Sequence, residues 1–266
     1  MILQKSGQLR GLSHEYKNPI QYYLQIGEEE IHLNPFIGKT IRLNYKEEIH
    51  CVHCGRKIKK TYNNGSCYPC FISLPQNDIC ILKPELCHLD QGTCRDESYA
   101  HSNCLIPHYV YLALSSDIKV GITRKNRSMT RWIDQGAVKS IPIAEVPDRK
   151  TAGELEVFLS QHLPDKTNWR KMLKGDLVDK DILEIREQVL SIIPDRFKDF
   201  ILSQKDVNEF VYPILESLDK ISSLSFDKLP AVEGKLMGLK GQYLILDIGV
   251  LNIKKHSGYQ IELKLL

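Results

Sequence analysis

The sequence predicts an α+β fold assembled from several modules. Three observations point to it. Short apolar runs broken by turn residues occur near both ends of the chain, eight cysteines fall within Cys51–Cys104, and helix-period patterns fill much of the chain beyond Cys104. At 266 residues, 42% apolar and 26% charged, the composition is that of a globular chain able to bury a core without covalent staples. No apolar run approaches the length of a membrane span, and the opening MILQKSGQLR lacks a signal core. A cytoplasmic protein without a membrane partner is therefore expected.

Residues 1–50 read as a β-rich module. Tyr22-Tyr23-Leu24-Gln25-Ile26, Ile31-His32-Leu33 and Thr40-Ile41-Arg42-Leu43-Asn44-Tyr45 are strand-like, and Gly27, Asn34-Pro35 and Gly38 separate them. Residues 229–266 repeat the style, with Gln242-Tyr243-Leu244-Ile245-Leu246 and Tyr259-Gln260-Ile261-Glu262-Leu263. Gly7, Leu9, Gly11 and Leu12 also recur in register as Gly234, Leu236, Gly238 and Leu239. Neither segment has enough strands for a comfortable sheet of its own. The two are expected to pack together as one barrel or small sheet.

Residues 51–104 form the cysteine-rich region. The first four cysteines read Cys51-x2-Cys54-x12-Cys67-x2-Cys70, two knuckles that can converge four thiolates on one tetrahedral ion. A zinc ribbon is the expected result. Iron–sulfur is the alternative, since spacing alone does not separate the metals. Cys80, Cys87, Cys94 and Cys104 come next at irregular spacing, accompanied by His88, His101 and His108. They offer a second zinc site in which a histidine can replace a cysteine; buried free thiols are the competing reading. No HExxH or HxE…PCxxC pattern occurs, so any such zinc is structural.

Residues 105–175 are mixed. His108–Leu114 and Ile118–Thr123 read as two strands joined at Ser115-Ser116-Asp117, and residues 126–135 as a basic helix. Thr151–His162 reads as a second helix, capped by Thr151, with Leu155, Phe158, Leu159 and His162 on its buried stripe. Trp132 and Trp169 are read as core anchors. Residues 176–228 read mostly as helices interrupted at Pro194 and Pro213, without recognisable chemistry.

A net charge of +3 is too small to announce a nucleic-acid partner. The charge is local, however. Arg56, Lys57, Lys59 and Lys60 stand without an acid in residues 51–70. Lys119, Arg124, Lys125, Arg127, Arg131 and Lys139 face only Asp134 in residues 119–139. Such clusters suit a phosphate backbone, or else form an ordinary solvated face.

Several strings carry a resemblance. Gly65-Ser66-Cys67-Tyr68-Pro69-Cys70, Pro84-Glu85-Leu86-Cys87-His88, Gly92-Thr93-Cys94-Arg95, His108-Tyr109-Val110-Tyr111-Leu112-Ala113 and Lys119-Val120-Gly121-Ile122-Thr123 are among them. So are Arg131-Trp132-Ile133-Asp134-Gln135-Gly136-Ala137, Thr167-Asn168-Trp169 and Gly241-Gln242-Tyr243-Leu244. Together they resemble an uncharacterised family of prokaryotic zinc-binding proteins, over most of the chain. That family transfers no established activity.

Residues 108–170 are also similar, more distantly, to a GIY-YIG nuclease-type domain, in the branch whose second motif begins with Lys. The resemblance implies that Tyr109 and Tyr111 supply the first motif and Lys119 and Gly121 the second. Arg131 (or Arg127) is then the arginine, and Glu156, with Glu154 as rival, the metal-holding glutamate. In such a site a tyrosine helped by a basic neighbour activates water, the arginine stabilises phosphoryl charge, and Glu156 anchors Mg2+ or Mn2+. Gly121, Thr123 and Arg127 would hold phosphate. Two departures stand out: His108 occupies the place of the leading glycine, and Lys119 that of the second tyrosine. The expectation is a zinc-containing protein associated with RNA or DNA, with metal-dependent phosphodiester hydrolysis as its activity. The alternatives are a protein-interaction module and an enzyme that binds a phosphorylated small molecule.

Overall fold

The computed structural model describes residues 3–163, 168–218 and 220–266, so Thr167 of the Thr167-Asn168-Trp169 string lies outside the described residues. The chain divides into two compact units, Met1–Ile72 with Val211–Leu266, and Ser73–Phe210. The fold class is α+β with a mixed sheet. The boundary between the units falls within the cysteine-rich region 51–104. Its first four cysteines belong to the first unit and its last four to the second.

The chain opens with strands β1 (Leu3–Glu15), β2 (Gln21–Ile26), β3 (Glu29–His32), β4 (Thr40–His50) and the short β5 (Lys57–Ile58), followed by helix α1 (Tyr68–Ser73). The alternation Tyr22, Leu24, Ile26 sends every second side chain of β2 inward, all of them at most 2% exposed. β1 is long but mostly polar and half-exposed, so alternation does not reveal it.

The second unit contains helices α2 (Ile79–Leu82) and α3 (Glu97–Asn103) and strands β6 (His108–Leu114) and β7 (Ile118–Arg124). Then come helix α4 (Ser128–Asp134), strand β8 (Lys139–Val146), helices α5 (Arg149–Ser160), α6 (Trp169–Lys174) and α7 (Ile182–Ile192), and strand β9 (Asn208–Glu209). Its antiparallel sheet runs β7-β6-β8-β9. β6 and β7 form a hairpin in register from His108↔Arg124 to Leu114↔Ile118. Val110, Leu112, Ile141, Ile143, Leu155 and Leu159 are completely buried between this sheet and α5. Each such aliphatic side chain stabilises the unit by about 1.5–3 kcal/mol.

Two helix expectations are corrected. The cap of α5 is Asp148, whose carboxylate accepts from Thr151 N (2.9 Å) and Thr151 Oγ1 (2.8 Å), because the helix begins at Arg149 and Thr151 is already inside it. His162 lies beyond the helix end and is exposed. Downstream, helix covers Ile182–Ile192 and a 3-10 segment Asp195–Phe200, and then stops. From there the backbone is captured by β8. Ile201 bridges Ala144, Leu202 N donates to Ile143 O (3.0 Å), and β9 pairs with Lys139 and Ser140. Buried Arg186 of α7 fastens this stretch by donating to Leu202 O (2.5 Å) and Gln204 O (3.3 Å).

Strands β10 (Ser223–Leu224), β11 (Ala231–Lys240), β12 (Tyr243–Leu246), β13 (Gly249–Asn252) and β14 (Tyr259–Leu265) complete the first unit. Its sheet runs β10-β13-β12-β11-β4-β14-β1-β2-β3, with β5 on β4; among the described residues only the β10–β13 pair is parallel. β14 lies between β4 and β1, and Leu263 pairs with Leu43 on one side and Lys5 on the other. Leu9, Leu24, Ile41, Leu43, Leu236, Ile261 and Leu263 are completely buried.

Candidate functional site

The first cysteine set is built by the end of β4 and the start of α1. Cys51 follows β4 directly. The chain turns through Val52-His53-Cys54, and Gly55, at φ +72°, returns its N–H to Cys51 O (3.0 Å). That left-handed residue is what lets the knuckle close. The Sγ atoms of Cys51, Cys54, Cys67 and Cys70 all lie within 4.8 Å of one another, and those of Cys54 and Cys67 are 3.7 Å apart. A tetrahedral ion with metal–sulfur bonds of about 2.3 Å needs a spacing of about 3.8 Å. Backbone N–H groups aim at the sulfurs: Cys67 N donates to Cys51 Sγ (3.2 Å) and Cys70 N to Cys67 Sγ (3.5 Å). Burial alone would raise the Cys51 thiol, but the N–H groups of Cys54, Cys67 and His53 bring it down to about 6. Hydrogen bonding to Cys67, with burial, pushes Cys70 up to about 12. The four residues fit a structural divalent ion.

The second set differs. Cys80, Cys87, Cys94 and Cys104 line one small cavity, together with Pro75, Asp78, Ile81 and Tyr99. The tight trio here is Asp78, Cys80 and His88, with ligand atoms within 4.8 Å. Asp78 is already engaged by Ile79 N (2.6 Å), Arg95 Nε (3.1 Å) and His88 Nε2 (3.4 Å). His101 is exposed, and buried His108 turns Nδ1 to Ile106 O (2.7 Å). Neither lines the cavity.

A separate cleft of about 330 Å³ opens on the second unit. β7 supplies Lys119 and Gly121, α4 supplies Arg131 with Gln135 at its end, and α5 supplies Glu156. The turn after α2 supplies Pro84 and Glu85. Burial pushes the Glu156 carboxyl up, while the charges of Arg131, Arg149 and Lys119 pull it back. Glu154 does not line the cleft and pairs with Arg196 (3.6 Å).

Tyr111 is completely buried and does not line the cleft. It sits opposite Gly121 in the hairpin, and a Cβ on Gly121 would lie 2.7 Å from the Tyr111 hydroxyl. The tyrosine ring crossing its strand therefore requires a glycine at position 121. The ring meets buried Trp132 edge-on (5.7 Å). With the amide oriented by its hydrogen bonds, Gln135 donates to Tyr111 Oη (2.9 Å) and accepts from Arg131 Nη2 and Nε (2.9 and 3.0 Å). Burial raises the Tyr111 phenol, so it is a poor source of phenolate and does not reach water.

Other expected residues are not brought to the cleft. Half-buried Tyr109 lies under the Lys125 ammonium (5.8 Å), Thr123 is buried with its hydroxyl on Arg124 O (3.2 Å), and Arg127 is exposed. The basic clusters also disperse. Lys125 pairs with Glu145 (2.8 Å), Lys139 with Glu209 (3.3 Å) and Lys57 with Glu48 (2.5 Å), while Arg124 bonds Asn103. Gln135 and Glu85 were not foreseen as site residues. Gln135 carries one available signal, its spacing four residues after Arg131 on a helix; Glu85 carries none.

Fold and site define an α+β protein with a metal-binding cysteine module. A family model described as protein of unknown function (DUF2797) matches residues 38–261, most of the chain, and the chain belongs to that family. No curated protein and no solved structure matches it. No described helix is long and apolar enough to cross a membrane.

Proposed function

We propose that this is a zinc-holding, nucleic-acid-associated protein whose cleft receives a phosphodiester of RNA or DNA. One observation carries the reading: Lys119, Arg131 and Glu156, from a strand and two helices, converge on one cleft. A hairpin, an arginine on the following helix and a glutamate on the next are the parts that the distant GIY-YIG resemblance leads one to expect. Zinc is the ion proposed for Cys51, Cys54, Cys67 and Cys70, whose sulfur spacing suits it.

Lys119 and Arg131 would contact phosphate oxygens, and Gln135 would hold the Arg131 guanidinium in place from below. Glu156 would hold Mg2+ or Mn2+, which when bound supplies charge stabilisation to a leaving oxygen. Tyr111 acts in this scheme as a positioning residue through Gln135, and not as a base. A phosphorylated small molecule is the second reading, because about 330 Å³ is also a small-ligand volume.

The test measures binding of labelled RNA and DNA oligonucleotides against salt, then cleavage with Mg2+ or Mn2+. Affinity should fall steeply with ionic strength. Arg131→Ala should weaken binding about tenfold or more, the loss of a charge-assisted bond worth about 1.5–3 kcal/mol. Glu156→Gln should abolish cleavage and spare binding. Salt-insensitive binding untouched by Arg131→Ala would overturn the reading.

A further inference from the structure

The first cysteine set frames a cluster of aromatic rings. Across the turn Asn63-Asn64-Gly65, Tyr62 N donates to Ser66 O (2.8 Å) and Ser66 N to Tyr62 O (2.9 Å). In sequence, Tyr68 and Phe71 of α1 flank Cys70. The Tyr62 ring stacks on Phe71 (centroids 5.6 Å apart, planes at 25°) and meets Tyr68 at a tilt (5.5 Å). Tyr62 and Phe71 are half-buried, whereas Tyr68 is 55% exposed. An aromatic residue is thus fixed by its neighbours and presented to water.

Its surroundings are cationic. Residues 49–77 contain no Asp or Glu, and Arg56, Lys59 and Lys60 are exposed. The Lys60 ammonium lies 5.1 Å from the centre of the Tyr62 ring. Exposed Arg10 of β1 joins them, donating to Val52 O within the first knuckle (2.8 Å). Lys57 is drawn off to Glu48. An acidic peptide would answer these cations but offers the ring no flat partner. A nucleic-acid strand brings a flat base and a phosphate at every step. In a duplex the bases already stack on one another, so the ring needs an unpaired one.

We infer that Tyr68 stacks a base of an unpaired nucleic-acid strand, while Arg56, Lys59 and Lys60 hold the phosphates beside it. The inference rests on the nucleic-acid reading above, but it lies within the first unit and uses no residue of the cleft. Base and phosphate are common to RNA and DNA, and the experiment separates them.

The experiment titrates the full chain into labelled single strands of RNA and of DNA, and into duplexes of the same sequence, at several salt concentrations. Single strands should bind more tightly than duplexes, and the sugar that binds better names the partner. Tyr68→Ala should weaken single-strand binding about tenfold, the loss of one stacked base. Tyr68→Trp should retain it. Lys59→Ala should weaken binding and flatten its salt dependence by about one phosphate contact. Should Tyr68→Ala fail to fold, the preference of the unaltered chain for single strands still decides. Equal affinity for duplex and single strand would overturn the inference. So would full affinity in Tyr68→Ala; if Arg131→Ala still weakens binding there, the cleft reading survives alone. Weakening by Tyr68→Ala without any effect of Arg131→Ala would support the inference and overturn the cleft. No binding to any of the four probes would overturn both.

Discussion

Tyr111 shows what a motif residue does when its surroundings are known. A tyrosine beside a lysine-containing motif suggests a base from the sequence, whereas the buried ring is hydrogen-bonded to Gln135, which in turn accepts from Arg131. Tyr111→Phe should therefore change stability by only about 1 kcal/mol while loosening Arg131, measured as weaker ligand binding with a near-normal urea midpoint. Gly121→Ala forces the ring aside and should cost about 1–3 kcal/mol in the same melt. His256 gives a pH prediction. Its buried ring holds Asn252 O through Nδ1 (2.8 Å) and accepts from Phe226 N at Nε2 (3.3 Å), against Ser225 Oγ. Burial lowers its pKa; the hydrogen bond to Asn252 and the charge of Asp227 oppose this, and Lys255 adds to it. The unfolded ring takes up a proton near pH 6.5 and the folded ring only at lower pH. Stability contributed here is complete above about pH 6.5 and falls as pH drops through the folded value. His256→Gln should flatten the dependence of the urea midpoint on pH below neutrality. Gln135 was hard to read from the sequence because an amide carries no charge pattern and its spacing from Arg131 is a weak signal; its link to Tyr111 exists only in the fold.

Elements were legible where the pattern was undiluted. β2, β6 and β7 alternate or run apolar between clear turns, and they stand where that pattern puts them. β8 was hidden by Pro142, which removes a ladder donor and argues against an interior strand. The structure tolerates it because Pro142 sits at a bulge, where the register with β6 shifts between Val110 and Tyr111. Residues 201–210 were hidden for another reason: their conformation is imposed by the β8 edge and by Arg186. Arg186→Met keeps the volume but frees two carbonyls, and it should cost about 1–3 kcal/mol, with faster hydrogen exchange at residues 201–209. On α5, Asp148→Ala removes the cap that orients the helix carrying Glu156. A loss of about 1 kcal/mol in thermal or urea unfolding is expected.

At the scale of the molecule, the cysteine spacing announced a candidate metal site but not that the two cysteine sets fall in different compact units. That division predicts separable responses. Chelation of the first-set ion should raise hydrogen exchange at residues 51–72 and leave α5 and the β6–β7 hairpin protected. Equal loss of protection in both units would contradict it.

β14 occupies the middle of the first unit's sheet, hydrogen-bonded on both sides to strands made far earlier in the chain. During synthesis, β1 and β4 therefore leave the ribosome with their future partner still untranslated, exposing unpaired edges while residues 73–210 are produced and can collapse locally. The first cysteine set, hanging from the end of β4, waits with them. Chains truncated before residue 259 would carry a central unit without the strand that joins β1 to β4 in the other.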